Sequence, residues 1–145
     1  MIGSYKPFDQ ALSDQCDKPG RAFIQKVAKA KWNVVAQDYE KYKVDLICYR
    51  DGKHIGYAEV ELRPHYVNDF KYDTVHVPSR KDKLMDNGLP TVYFVVNKPL
   101  NKLMWVRTDK VVDCPLEEVP NKMIKRNEFF YIVPIERFNE VSFND

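Results

Sequence analysis

The stretch that decides the fold runs from residue 44 to residue 62: Val44-Asp45-Leu46-Ile47-Cys48-Tyr49-Arg50-Asp51-Gly52-Lys53-His54-Ile55-Gly56-Tyr57-Ala58-Glu59-Val60-Glu61-Leu62. Val44 to Tyr49 is β-branched and aromatic, Arg50-Asp51-Gly52-Lys53 is turn-forming, and His54 to Leu62 reads as a partner strand, so the stretch predicts a β-hairpin. Asp45 interrupts a strand that otherwise reads as buried, and a buried carboxylate needs a hydrogen-bonding partner or a metal. Glu59 and Glu61 alternate with Ala58, Val60 and Leu62. Any strand with one wet face shows this pattern, and so does a strand that presents carboxylates to a cation.

Hairpin geometry links the two acidic positions, because residues on one face of an antiparallel pair must have matching parity. A two-residue Asp51-Gly52 turn sets Val44 opposite Glu59 and throws Asp45 to the other face. A three-residue loop Arg50-Asp51-Gly52, with Gly52 left-handed, sets Asp45 opposite Tyr57 and on the face of Glu59. A shared site for Asp45 and Glu59 therefore predicts the three-residue loop.

Outward from the hairpin, Phe23, Ile24, Val27 and Ala30 recur at helical spacing between lysines, which predicts an amphipathic helix over Arg21 to Lys31. A short apolar segment, Trp32 to Ala36, precedes the hairpin. Arg63 to Val77 is irregular and aromatic-rich. Pro78-Ser79 then opens a short helix, Arg80 to Asn87, that Gly88 and Pro90 end. Thr91 to Val96 is a continuous apolar run suited to a strand buried on both faces, and Leu103 to Arg107 reads as its neighbour. The tail carries Pro115, Pro120 and Pro134 and one apolar stretch, Phe129 to Val133, placed as an edge strand. The expected fold is α/β, with a central mixed sheet of about five strands flanked by helices. A single domain of 1–145 is expected, with a core over about 20–108 and a proline-punctuated extension over 109–145.

Composition bounds the function. The 145 residues are 44% hydrophobic with nine Tyr and eight Phe, enough for one packed core. A net charge of +2 is far from that of a protein that coats nucleic acid by charge alone, so any such site must be local. The three cysteines, Cys16, Cys48 and Cys114, form no C-x-x-C pair, which indicates neither a disulfide framework nor a zinc knuckle. No apolar run reaches the length of a bilayer and MIGSYKPFDQ lacks the features of a signal peptide, so a cytoplasmic protein with no membrane partner is expected.

Asp45 near the start of one strand, Glu59-Val60-Glu61 on the next, and then a helix beginning Pro78-Ser79-Arg80-Lys81 resemble the core of the PD-(D/E)XK nuclease superfamily. The resemblance covers about Phe23 to Val106 and implies a restriction-endonuclease-like arrangement. It also implies a magnesium (or manganese) site held by Asp45, Glu59 and the Val60 backbone carbonyl, and hydrolysis of phosphodiester bonds in DNA or, second, RNA. Oxygen donors suit Mg²⁺, which polarises a phosphate and readies a water. The motif's lysine position holds Glu61, which either binds a second metal or is a bystander. Lys81 shares the inward stripe of Val77, Leu84 and Met85 and is the replacement cation, with Arg80 second. Such a stand-alone domain suits a bacteriophage or mobile-element nuclease, with a homodimer left open.

His65, Tyr66, Lys71, Tyr72, His76 and Lys83 are the candidate nucleic-acid contacts. The loop that holds most of them interleaves aromatics with a base, which fits stacking on unpaired nucleotides and equally fits a loop folded onto the core. Ser79 to Lys83 also reads as a solvated helix start. Cys48 reads as a small core residue without an accompanying base. Two rivals stand beside the nuclease: a nuclease-fold binding module without activity, and an interaction or inhibitor protein whose aromatics at 65–72 meet another protein.

Overall fold

The computed structural model describes residues 18–39, 44–79, 89–121 and 126–143. The first of these segments is helical because its apolar residues keep one face. Helix α1, Lys18–Trp32, buries Phe23, Ile24, Val27 and Ala28 and turns its lysines outward. It begins three residues earlier than the periodicity predicts, since Pro19 and Gly20 occupy the first turn, where a missing N–H costs nothing. Asn33, at φ 53°, ends it in the left-handed region. Arg50 donates from Nε (3.2 Å) and Nη2 (3.0 Å) to the Trp32 carbonyl, placing a cation at the helix's negative end.

Six strands form a mixed sheet. Strands β1 (Val35–Asp38), β2 (Leu46–Arg50) and β3 (Lys53–Leu62) make an antiparallel meander. The chain leaves this sheet for β4 (Thr74–Pro78) and returns as β5 (Thr91–Val96), parallel to β3, followed by the antiparallel β6 (Lys102–Arg107). Strands β7 (Leu116–Asn121) and β8 (Arg126–Pro134) join β4 in a second, antiparallel sheet of order β4-β8-β7. Strand β9 (Asn139–Ser142) closes the far edge of the first sheet, whose order is β1-β2-β3-β5-β6-β9.

The chain is thus mixed α/β, and the larger sheet has a hydrophobic layer on each face. Phe23, Ile24 and Val27 of α1 pack on Leu46, Ala58, Phe94 and Leu103. On the other face Tyr93, Val95, Met104 and Val106 meet Val75, Val77, Tyr131 and Val133 of the second sheet. Strand β5 is buried on both sides, as its unbroken apolar run predicts, and Val95 and Val96 are fully inaccessible.

Two expectations are corrected. The sheet has six strands rather than about five, and the face opposite α1 is covered by a second sheet among the described residues; the predicted helix Arg80 to Asn87 lies outside them. Phe129 to Val133 is not an edge strand but part of β8, the centre of that second sheet. The proline-punctuated tail supplies three strands and the core residue Phe138, because the two-sided sheet needs a second apolar surface and the tail provides it. No helix among the described residues is long and apolar enough to cross a membrane.

The hairpin turn differs too. Asp51 (φ 52°) and Gly52 (φ 77°) are both left-handed, and Arg50 pairs with Lys53, so the loop has two residues rather than three. Parity is nonetheless restored. Tyr49 pairs with His54 and Cys48 with Gly56, leaving Ile55 as the extra residue of a β-bulge. Beyond the bulge Leu46 faces Ala58, so Asp45 falls beside Glu59.

Gly56 is fixed by close approach. A Cβ there would lie 2.5 Å from the Pro90 carbonyl oxygen, the same oxygen that accepts the Tyr57 N–H at 2.9 Å. Gly56→Ala is expected to cost about 1–3 kcal/mol of unfolding free energy, because backbone rather than a flexible side chain must move. Urea denaturation checks this, and an unchanged midpoint would mean that β5 yields at no cost.

Candidate functional site at the β2/β3 fork

Two crossed hydrogen bonds tie the acidic residues together where β2 and β3 part. The Asp45 backbone N–H donates to Glu59 Oε2 at 2.8 Å, and the Val60 backbone N–H donates to Asp45 Oδ2 at 2.8 Å. Glu59 is 2% exposed, while Asp45 is half-buried. In an extended strand a residue's N–H and C=O point to the same side, so the Val60 carbonyl faces the same fork. Each bond occupies one oxygen of a carboxylate, and a carboxylate offers two oxygens with about four lone-pair sites. This oxygen donor set is chemically suited to a hard cation such as Mg²⁺. Among the described residues no group of three or more His, Cys, Asp or Glu is placed to hold a metal ion.

A cleft of about 680 Å³ opens beside Asp45 between the start of α1 and β1, with Lys18, Arg21, Gln25, Asp38 and Tyr39 on its walls. Arg21 pairs with Asp38 at 3.4 Å.

Glu61 continues the face of Glu59 but belongs to a second cluster. Arg63 Nε donates to Glu61 Oε1, and Arg63 Nη2 donates to the Tyr93 hydroxyl at 3.1 Å and to the His76 carbonyl at 2.6 Å. Tyr93 also lies within electrostatic reach of Glu61. Burial opposes the Arg63 charge, but the adjacent Tyr93 and Glu61 more than offset it and raise its pKa, so the guanidinium stays charged. Burial likewise drives Tyr93 upward, and it stays a neutral phenol. The negative charge of Glu61 is thus matched by a cation two residues on.

Of the other predicted residues, Tyr66 is buried in the core and its pKa is raised by that burial, against the pull of Arg63. His65 is exposed, its ring 4.3 Å from that of Tyr66 and 5.9 Å from that of Tyr72; partial desolvation beside those rings and then the Arg63 charge hold its pKa below the ordinary value. Lys71, Tyr72 and His76 are exposed, Tyr72 at 58%. The loop is therefore anchored through Tyr66 and Phe70 while His65 and Tyr72 keep ring surface outward. Arg80, Lys81 and Lys83 lie outside the described residues.

Arg63 and Tyr93 are the polar partners that sequence reasoning missed. Arg63 is the next same-face position after Glu59 and Glu61, which was a usable signal. Tyr93 sat inside an apolar run and gave none.

Cys48 lies on the opposite face of the sheet, and burial pushes its thiol up to about 11. A raised value means the protonated thiol is favoured in the fold; that contribution is complete below the ordinary value of 9.0 and is lost as pH rises through about 11. Alkylation of Cys48 by iodoacetamide, followed by peptide mass spectrometry, is expected to be slow at mildly alkaline pH and to accelerate only toward that value. Rapid labelling at neutral pH would contradict it.

Comparison of the chain with protein-family models, with curated proteins and with solved structures found no match.

Proposed function

We propose that the chain is a metal-dependent nuclease that hydrolyses phosphodiester bonds in DNA, on a restriction-endonuclease-like core, with Asp45, Glu59 and the Val60 carbonyl as ligands of Mg²⁺ or Mn²⁺. The observation that carries this reading is the crossed pair of 2.8 Å bonds that gathers both carboxylates and the Val60 backbone at one fork. Further support comes from the order of elements: one helix, three antiparallel strands, then a return parallel to the third.

A bound divalent ion would polarise the phosphate and lower the pKa of its water. The chain's own groups would do the rest. The Val60 N–H holds Asp45 in place, and Glu59 is held by the Asp45 backbone, so neither carboxylate must reorganise to bind. Lys18 and Arg21 in the adjoining cleft would bring positive charge to the phosphodiester backbone, and the exposed rings of His65 and Tyr72 would stack on unpaired bases. Lys81, outside the described residues, would position the nucleophile or the phosphate. Hydrolysis then moves one proton from the attacking water and delivers one to the leaving sugar oxygen.

A second reading rests on Glu61. Because Arg63 and Tyr93 hold a carboxylate where the motif has a lysine, the fold can also serve as a binding module without activity. Incubation with supercoiled plasmid and with single-stranded DNA, across Mg²⁺, Mn²⁺ and Ca²⁺, separates the two. Nicking in Mg²⁺ or Mn²⁺ that EDTA abolishes supports the nuclease, and retention of DNA without cleavage in every metal supports the module.

A further inference from the structure

The helix-bearing face of the larger sheet contains a hollow unrelated to the acidic fork. Small residues create it: Ala58 on β3, Ala36 on β1 and Ala28 on α1 leave a cavity of about 440 Å³, which Gly56 also lines. Gly56 is bound to stay small by the Pro90 carbonyl. A hollow with apolar walls costs the fold packing, and an apolar guest restores it. Its volume lies in the range of small-molecule sites, which are apolar with a few polar groups that fix orientation.

The polar groups here have one sign. Arg50 and Arg107 line the cavity, and among the described residues no acidic side chain does. Arg50 directs Nε and Nη2 to the Trp32 carbonyl, two of the five N–H donors of a guanidinium. Arg107 meets Asp109 at 3.4 Å, with both side chains more than half exposed, a pairing that contributes little and exchanges readily for another anion. The remaining wall is aromatic: the Trp32 ring lies 6.2 Å from Phe94 and 6.5 Å from Trp105.

We propose that this cavity binds a small amphipathic carboxylate, its apolar body against Trp32, Phe94 and Trp105 and its carboxylate between Arg50 and Arg107. The inference is independent of the nuclease reading, since the cavity and the Glu59–Glu61–Arg63 groups lie on opposite faces of the sheet.

The chain supplies its own reporter, because its two tryptophans, Trp32 and Trp105, both line the cavity. Titration of the full chain with decanoate below its micellar concentration, read by tryptophan emission, is expected to give a saturable change. Decanol and decylamine should bind at least about tenfold more weakly, the value of one charge-assisted hydrogen bond pair. Ala58→Leu, which fills the hollow, should abolish the change with circular dichroism unaltered. Should that variant not fold, the surface variant Arg50→Glu/Arg107→Glu replaces it and should weaken decanoate by the same factor. No saturable change, decanol binding as tightly as decanoate, or unaltered affinity in a folded variant would each overturn the proposal.

Discussion

Asp45→Asn is expected to reduce magnesium-dependent DNA cleavage by on the order of 100-fold or more while changing unfolding free energy by less than about 1 kcal/mol. The asparagine carbonyl oxygen can still accept the Val60 N–H that Asp45 Oδ2 accepts at 2.8 Å, so that bond of the fork is kept while the charge is lost. Glu59→Gln should behave alike, since its amide oxygen still accepts the Asp45 N–H. The alanine variants differ. Glu59→Ala removes a side chain that is 2% exposed and leaves the Asp45 N–H without that acceptor, which costs about 2–4 kcal/mol from cavity and lost hydrogen bond together. Paired cleavage assays and urea denaturation thus separate ligation from structure. Wild-type cleavage by both amide variants would sink the metal assignment, whereas lost activity that tracks lost stability would make the two carboxylates a strand-end cap and nothing more.

An effect on stability as large as that of Glu59→Ala is expected at Arg63. Its side chain is 14% exposed and serves Glu61, Tyr93 and the His76 carbonyl at once. Arg63→Met removes all three bonds and takes from the Glu61 carboxylate its Arg63 partner. Breaking a buried pair costs about 3–5 kcal/mol, and because Glu61 is one-third exposed about 2–4 kcal/mol is expected here. Adding Glu61→Met should recover much of that loss, because replacing both partners removes the stranded charge. A double-mutant cycle by urea denaturation measures the coupling. A single-variant cost under about 1 kcal/mol would show that solvent already screens the pair.

How far the sequence reaches is clearest at the hairpin. Asp45 and Glu59 lie side by side on one face, as a shared site predicts, yet the loop between their strands has two residues and not three. Asp51 and Gly52 make the two-residue turn that their chemistry favours, and the bulge at Ile55 supplies the missing residue of register. That bulge falls where β5 joins β3 and the Pro90 carbonyl crowds Gly56, a meeting of segments far apart in sequence. The second sheet was illegible for the same reason. Strand β4 hides in an aromatic-rich segment and becomes a strand only by pairing with β8.

Residue order alone determined the helix face of α1, the hairpin and the doubly buried β5, because each follows from local propensity and a period of 3.6 or 2. Tertiary structure decided that Arg63 and Tyr93 answer Glu61, that the tail builds a second layer, and that small residues from α1, β1 and β3 leave a cavity beside both tryptophans. Those outcomes depend on inter-strand register and on which surfaces meet, and no local pattern in the chain encodes them.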